Sequence, residues 1–138
     1  MFGVGSIIRM DHMPEYVLQM FADVFARIPQ RVIWQWPGLG ESQFVPKVSD
    51  NVMLLKWLPQ QDLLGHPKCK VFITHGGLLS TQEAVYHGVP VLGLPFINDQ
   101  LLNMDKAVKD GYAIQLRWSE INHENLHSSI IQLSTNDR

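Results

Sequence analysis

The chain has 138 residues, a length that suits one globular domain with its own core. Apolar residues make up 46% of the sequence and charged residues 17%, a balance that excludes a disordered tail. The formal charge of −2 excludes a broad basic surface for nucleic acid, and the single cysteine, Cys69, excludes an intrachain disulfide or a cysteine zinc cluster.

Hydrophobic spacing, prolines and glycines divide the chain into alternating strands and helices. Apolar residues recur at helical spacing from Val17 to Ile28, with Pro14 in the first turn and Pro29 as the stop. In chain order the predicted elements are the end of a strand at Phe2 to Val4, a helix from Pro14 to Ile28, strands at Arg31 to Gln35 and Asn51 to Leu55, a short helix at Gln60 to Leu64, a strand at Val71 to Thr74, a helix at Leu79 to His87, a strand at Val91 to Leu94, a helix at Asp99 to Asp110 capped by Gly111, a strand at Ala113 to Leu116 and a last helix capped by Asn122.

This alternation predicts an α/β fold, with a parallel sheet and helices on both faces, in a single domain over residues 1–138. In such sheets ligands bind beyond the carboxyl ends of the strands. Four segments follow predicted strand ends, and we expect them to meet at one edge of the sheet. They are Gly5-Ser6, Trp57, His75-Gly76-Gly77 and the loop that leads to Asp99.

The segment after the strand at Val71 to Thr74 is typical of an anion site. A buried strand turns through Gly76 and Gly77 into a helix, whose first turn presents free backbone N–H groups and a positive dipole end. Glycine lets an anion approach the backbone closely. His75 can contact phosphate oxygens or be satisfied by backbone, and Ser80 in the first turn is typical of a residue that caps the helix.

Two other side chains at the predicted edge allow two interpretations each. Trp57 can stack on a planar base or pack in the core. Glu83 lies one turn beyond the glycines, where its carboxylate can accept hydrogen bonds from the diol of a ribose or stay solvated. Asp99 stands at the start of a helix, where aspartate is typical of a cap.

No metal site is predicted. His123 and His127 are four residues apart on a helix, but a third ligand is not evident. The sequence also has no Asp-x-Asp pattern, which a metal-dependent sugar-nucleotide transferase would use to hold its divalent ion.

The spacing of these residues resembles the signature of the UDP-glycosyltransferases, in the form of the animal membrane-bound enzymes that conjugate small lipophilic molecules in detoxification. The matching patterns are W-x-P-Q from Trp57, H-x-G-x-x-S-x-x-E from His75 and D-Q at Asp99. The resemblance begins at Phe2 and covers the donor-binding half of such an enzyme. It implies the Rossmann-like C-terminal half of a GT-B glycosyltransferase, without the N-terminal acceptor domain and the C-terminal membrane anchor.

The resemblance also implies roles for single residues. It implies uridine contacts for Trp57, Gln60 and Glu83, diphosphate contacts for Ser6, His75, Gly77 and Ser80, and contacts to the transferred sugar for Asp99 and Gln100. Leu79 departs from the asparagine of many relatives and offers no hydrogen bond. No catalytic residue is expected in this segment, because the general base of the family is a histidine of the N-terminal domain.

The implied reaction is the metal-independent, inverting transfer of a hexose, such as glucose or glucuronic acid, from a UDP-sugar to a small lipophilic acceptor, without a cofactor. A full-length protein is expected on the lumenal side of the endoplasmic reticulum membrane. The segment itself is expected to be inactive, because the general base lies in the N-terminal domain. It is expected to be soluble, because it has no apolar run of roughly 18–20 residues. Its exposed cleft face, with Phe96, Ile97, Leu101 and Leu102, is expected to self-associate.

Other functions remain open. The alternatives are a non-catalytic nucleotide-binding module and a protein of GT-B architecture related to UDP-GlcNAc epimerases. A dinucleotide-binding dehydrogenase would need G-x-G-x-x-G after its first strand, which the sequence lacks. The sequence identifies neither the sugar nor the acceptor.

Overall fold

The computed structural model describes residues 14–36, 45–57, 59–76, 78–95 and 98–135. The predicted strand at Phe2 to Val4 and the Gly5-Ser6 turn lie outside these residues, as do Gly77, Phe96 and Ile97. The elements are α1 (Glu15–Ala26), β1 (Val32–Gln35), β2 (Val52–Leu55), α2 (Gln60–Leu64), β3 (Phe72–Thr74), α3 (Leu78–Tyr86), β4 (Val91–Gly93), α4 (Asn98–Lys109), β5 (Ala113–Gln115) and α5 (His123–Thr135). Each predicted element in this range is present, with ends that differ from the prediction by at most two residues.

All the strands of the described residues pair in parallel. Val32 of β1 is in register with Val52 of β2, and these two strands form one group. A second group has the order β3-β4-β5, in which Val91 of β4 is in register with Phe72 on one side and with Ala113 on the other. The predicted parallel α/β architecture is thus confirmed, because all the paired strands run in parallel and helices α3 and α4 connect β3 to β4 and β4 to β5.

Side chains of β3 and β4 alternate between two apolar clusters, one on each face of the sheet. Ile73 and Leu92 lie in the larger cluster, with the buried residues of α1 and α5. Phe72 and Val91 lie in the smaller cluster, with residues of α2, α3 and α4. Helices therefore cover both faces, as predicted.

Aromatic residues form the centre of the larger cluster. Trp34 and Trp36 are fully buried and meet edge to face, with 5.6 Å between the ring centroids. Phe25 contacts Trp34 in the same geometry at 5.4 Å. Such pairs contribute about 0.5–1.5 kcal/mol each beyond the area they bury, so they fix α1 firmly against β1.

Helix α4 packs unusually close to the ends of β3 and β4. A Cβ atom on Gly93 would lie 1.8 Å from Met104 Sδ, and one on Gly76 would lie 2.7 Å from Met104 Cγ. Only glycine leaves room for Met104 at both places. This packing brings the first turns of α4 next to the turn that follows β3.

Local signals end the helices where the sequence predicts. Asn122 Oδ1 accepts the backbone N–H of Asn125 at 2.8 Å, and Asn125 Oδ1 accepts that of Asn122 at 2.9 Å, which caps α5 reciprocally. Gly88 and Gly111, with φ of 69° and 86°, follow the ends of α3 and α4. Within the described ranges, the helices include none that is long and apolar enough to cross a membrane.

Candidate functional site

The predicted site residues converge at the edge where the parallel strands end. Trp57 follows β2, His75 and Gly76 follow β3, and α4 begins after β4. Hydrogen bonds join α2 to α3 and α4 to the turn after β3, so these segments are neighbours in space. The sheet edge is therefore the place where a ligand can contact all of them.

A hydrogen-bonded cluster of Gln60, Ser80 and Glu83 joins α2 to α3. Gln60 Nε2 donates to Glu83 Oε2 at 2.7 Å and to Ser80 Oγ at 3.2 Å. Gln61 Nε2 reaches Glu83 Oε1 at 3.4 Å. Three predicted ligand residues thus share one cluster. The carboxylate of Glu83 is oriented by two neutral amides rather than left free in solvent.

Trp57 stands out from the edge of the sheet. Its side chain is 73% exposed, which excludes the alternative that it packs in the core. An indole that projects from the end of a strand offers a flat apolar face to a planar ligand. Its contact with a base remains a prediction.

His75 is half-buried directly after β3, and its Nδ1 makes no hydrogen bond within the described part of the chain. Burial lowers the pKa of His75 below its usual value, because desolvation disfavours the imidazolium. Without a ligand, the His75 side chain is therefore a neutral imidazole near pH 7. A buried nitrogen without a partner is unusual in proteins, and a ligand that supplies a hydrogen bond to it would remove the cost of leaving it unpaired.

The turn after His75 is held in a left-handed conformation. Gly76 has φ of 90°. Its N–H lies 3.4 Å from Thr74 Oγ1, and its carbonyl oxygen accepts a hydrogen bond from Asn103 Nδ2 at 3.2 Å. This arrangement confirms a glycine turn between β3 and α3.

The start of α4 carries the residues predicted to contact a sugar. The helix begins at Asn98, one residue earlier than predicted, so that Asp99 and Gln100 lie in its first turn. Gln100 is 8% exposed, which means that only a small part of it is open to a ligand in this conformation. The side chain of Asp99 lies outside the described part of the structure, and so do Ser6 and Gly77.

Two residues of this edge were not singled out from the sequence. Gln61 adjoins the W-x-P-Q pattern, but only the packing of α2 on α3 brings it to Glu83. Asn103 reaches Gly76 across 27 positions of sequence, a contact for which no local pattern exists. Leu79, which departs from the family pattern, is 73% exposed beside them and supplies no polar group.

Other features of the described residues lie away from this edge. A cavity of about 680 Å³ lies among the first residues of β1 and β3, near Arg31, Lys68 and Cys69, and none of the predicted site residues lines it. His123 Nε2 lies 3.5 Å from Asp23 Oδ2 on the surface. The described residues contain no group of three histidine, cysteine, aspartate or glutamate side chains that could hold a metal ion.

Comparison with known proteins identifies relatives over nearly the whole chain. The family described as "UDP-glucoronosyl and UDP-glucosyl transferase" matches residues 1–137. UDP-glycosyltransferase UGT5 of Dactylopius coccus is 43% identical over 89% of this chain and 23% of its own length. The 2-hydroxyacylsphingosine 1-beta-galactosyltransferase of Homo sapiens is 36% identical over 98% of this chain and 24% of its own length.

Solved structures of glycosyltransferases share the fold. The glycotransferase of kitacinnamycin superposes with a TM-score of 0.83 at 26% identity, over 98% of this chain and 34% of that one. Os79 from O. sativa, in complex with U2F and trichothecene, gives a TM-score of 0.82 at 21% identity, over 99% and 32% of the two chains. The chain thus spans about a quarter of the length of its curated relatives and a third of these structures. With its parallel α/β fold of GT-B type and the family pattern from residue 1 to residue 137, the chain belongs to the UDP-glycosyltransferase family.

Proposed function

We propose that the chain is the donor-binding domain of a UDP-glycosyltransferase. In a longer protein it would hold a UDP-sugar while an N-terminal domain binds a small lipophilic acceptor. The observation that carries the proposal is the cluster of Gln60, Ser80 and Glu83, which lies at the same sheet edge as the exposed Trp57 and the glycine turn. A nucleoside diphosphate has a base, a ribose and phosphates in this order, and Trp57, Glu83 and the glycine turn would contact them in the same order.

Three side chains would contact the uridine, with Trp57 at the base, Glu83 at the ribose and Gln60 as a further polar contact. Trp57 would stack on the uracil ring, because its indole face is open to solvent. Glu83 would accept hydrogen bonds from the two ribose hydroxyls, which match the two oxygens of a carboxylate. The amides of Gln60 and Gln61 already hold these oxygens in place, and a carboxylate can accept about four hydrogen bonds in all.

The diphosphate would lie against the turn after β3. The first turn of α3 offers unpaired backbone N–H groups and the positive end of the helix dipole. Ser80 would add a hydroxyl from this turn and His75 a ring N–H, with Ser6 and Gly77 as further predicted contacts. These groups would stabilise the negative charge that develops on UDP as it leaves, without the need for a metal ion.

The sugar would extend from the diphosphate towards Asp99 and Gln100. The reaction would transfer glucose or glucuronic acid, with inversion, to a hydroxyl group of the acceptor. A general base must activate this hydroxyl, and we assign it to the N-terminal domain. The present segment alone is therefore not expected to transfer sugar, and the complete protein is expected at the endoplasmic reticulum membrane, on its lumenal side.

Isothermal titration calorimetry of the 138-residue chain tests this function. We expect UDP to bind, ADP to bind more weakly, and EDTA to leave the affinity for UDP unchanged. UDP-glucose and UDP-glucuronate, titrated in parallel, would indicate which sugar is preferred. Loss of UDP binding with EDTA, or equal affinities for UDP and ADP, would contradict the proposal.

The same titrations separate the alternatives. A complete protein that binds UDP, does not distinguish one UDP-sugar from another and transfers no sugar in an activity assay would favour a non-catalytic nucleotide-binding module. A marked preference for UDP-GlcNAc would favour a relative of the epimerases.

A further inference from the structure

Asn103 of α4 makes a side-chain hydrogen bond to the turn that follows β3. Its Nδ2 donates to the carbonyl oxygen of Gly76 at 3.2 Å, and the side chain is half-buried. Met104, the next residue of the helix, packs against Gly76 so closely that a Cβ atom there would lie 2.7 Å from Met104 Cγ. Helix α4 thus contacts this one residue both through packing and through a hydrogen bond.

Such a bond has a consequence for the direction of the backbone. Glycine has more conformational freedom than other residues, so a glycine turn does not by itself fix where its N–H groups point. A trans peptide unit is planar, and its N–H points away from its C=O. When the carbonyl of Gly76 is held by Asn103, the whole peptide plane that begins at Gly76 is held with it. The contact of Gly76 N–H with Thr74 Oγ1, at 3.4 Å, belongs to the preceding peptide unit and does not fix this plane.

We propose that Asn103 is a positioning residue for the diphosphate. It touches no ligand itself, but it holds the Gly76 turn so that backbone N–H groups face the phosphate oxygens. This proposal rests on the function proposed above. Because Asn103 lies one helical turn after Asp99 and Gln100, the same helix would align the diphosphate and the sugar with each other.

The test compares UDP with uridine, which lacks the diphosphate. Both ligands are titrated by NMR, which also detects weak binding, into the wild-type chain and Asn103→Leu. The leucine is similar in size and cannot donate a hydrogen bond. We expect Asn103→Leu to bind UDP about ten-fold more weakly, which corresponds to one well-placed hydrogen bond, and to bind uridine within a factor of about two of wild type.

Two further variants make the comparison decisive. Val108→Ala, an exposed position of α4 remote from the turn, is the matched control and should leave both affinities unchanged. Asn103→Ala, which favours the helix, replaces Asn103→Leu if thermal unfolding shows that the leucine variant does not fold. An unchanged affinity for UDP, or an equal loss for UDP and uridine, would overturn the positioning role. Failure of the wild type to bind UDP would instead overturn the proposed function.

Discussion

Trp57 and His75 stand at the same edge of the sheet in opposite environments. The indole of Trp57 is 73% exposed, whereas the buried Nδ1 of His75 makes no hydrogen bond within the described residues. An exposed aromatic ring gains by stacking on a ligand, and a buried ring nitrogen gains by acquiring a partner. At the scale of single residues, both side chains are therefore better satisfied with a ligand than without one.

Replacement of Trp57 tests the stacking role. Trp57→Ala should weaken UDP binding by about 1–3 kcal/mol, the usual contribution of one base–aromatic stack, and should leave the melting temperature close to that of wild type. Calorimetry and thermal unfolding measure the two effects. Tyr86→Ala, which removes an 85% exposed ring at the far end of α3, is the control and should change neither. A strongly lowered melting temperature with Trp57→Ala would mean that Trp57 is structural.

Burial of His75 predicts how stability depends on pH. Its pKa in the folded chain is lowered from the usual 6.5 by desolvation, so the unfolded chain takes up a proton more readily. Above pH 6.5 the residue contributes nothing, and the free energy of unfolding should fall as the pH drops through 6.5 towards the lowered pKa. Urea unfolding at a series of pH values from about 7.5 to about 5 measures this slope. His75→Gln should flatten the slope. An unchanged slope in His75→Gln would refute the assignment.

At the scale of elements, α4 determines the geometry of the site. It packs on β3 and β4 through Met104, which fits because positions 76 and 93 are glycines. Its first turn carries Asp99 and Gln100, and its second holds the turn after β3 through Asn103. A shift of this one helix would therefore move groups predicted to contact two different parts of the donor.

Gly93→Ala should disturb this packing. The new Cβ would collide with Met104 Sδ at 1.8 Å, and overpacking of this kind costs about 1–3 kcal/mol. The free energy of unfolding in urea gives the cost. Gly65→Ala is a matched control, because Gly65 has an ordinary φ of −77° and the added Cβ would lie 3.2 Å from the nearest atom, a side-chain atom of His87. An equal loss at both positions would show that the tight fit of α4 is not the cause.

The start of α4 should discriminate between UDP and UDP-sugar. If Asp99 and Gln100 contact the sugar, then Asp99→Asn combined with Gln100→Ala should spare the affinity for UDP and lower that for UDP-glucose. Parallel titrations of both ligands measure this, in the 138-residue chain and in the complete protein. In the complete protein Gln100→Ala should also lower turnover, because a misplaced sugar loses its attack geometry. Equal weakening of both ligands would indicate that the pair is structural.

Elements of this fold are predictable because their signals are local. Apolar spacing along α1 and the Asn122 cap of α5 need only neighbouring residues, so the sequence predicts them well. The family pattern also predicts that Gln60 and Glu83 belong to one site. Their hydrogen bond, by contrast, spans 23 positions and depends on how α2 packs on α3, and the Asn103–Gly76 bond depends on the close approach of α4. Such contacts follow from tertiary packing, which no local pattern encodes.

At the scale of the whole molecule, the chain spans about a quarter of the length of its curated relatives, and the described residues include exposed apolar side chains in α3 and α4. Leu79 and Leu102 are 73% and 68% exposed, in addition to Trp57. In a two-domain enzyme the sheet edge that carries Trp57 would face a cleft and a second domain. In this segment alone the same apolar surface is expected to meet another copy.

The segment should therefore self-associate with increasing concentration. Sedimentation velocity over a concentration series should show a rising weight-average sedimentation coefficient. Leu102→Ser, which removes an exposed apolar side chain of α4, should reduce this rise. Met53→Ser, at a 52% exposed position of β2, is the control. A chain that stays monomeric at high concentration would contradict the expectation.

The unequal burial of the tryptophans gives this protein two optical signals. Of the four tryptophans in the sequence, Trp34 and Trp36 are fully buried, and Trp118 is partly buried with its Nε1 donating to Leu94 O at 3.0 Å. Trp57, at 73% exposed, should emit at the longest wavelength and be the first to be quenched by acrylamide. A nucleotide that covers Trp57 would lower the intensity of its emission and shift it to shorter wavelength. The emission of the buried tryptophans would change only on unfolding. Ligand occupancy and loss of the fold would then be visible in one fluorescence spectrum, without an added dye.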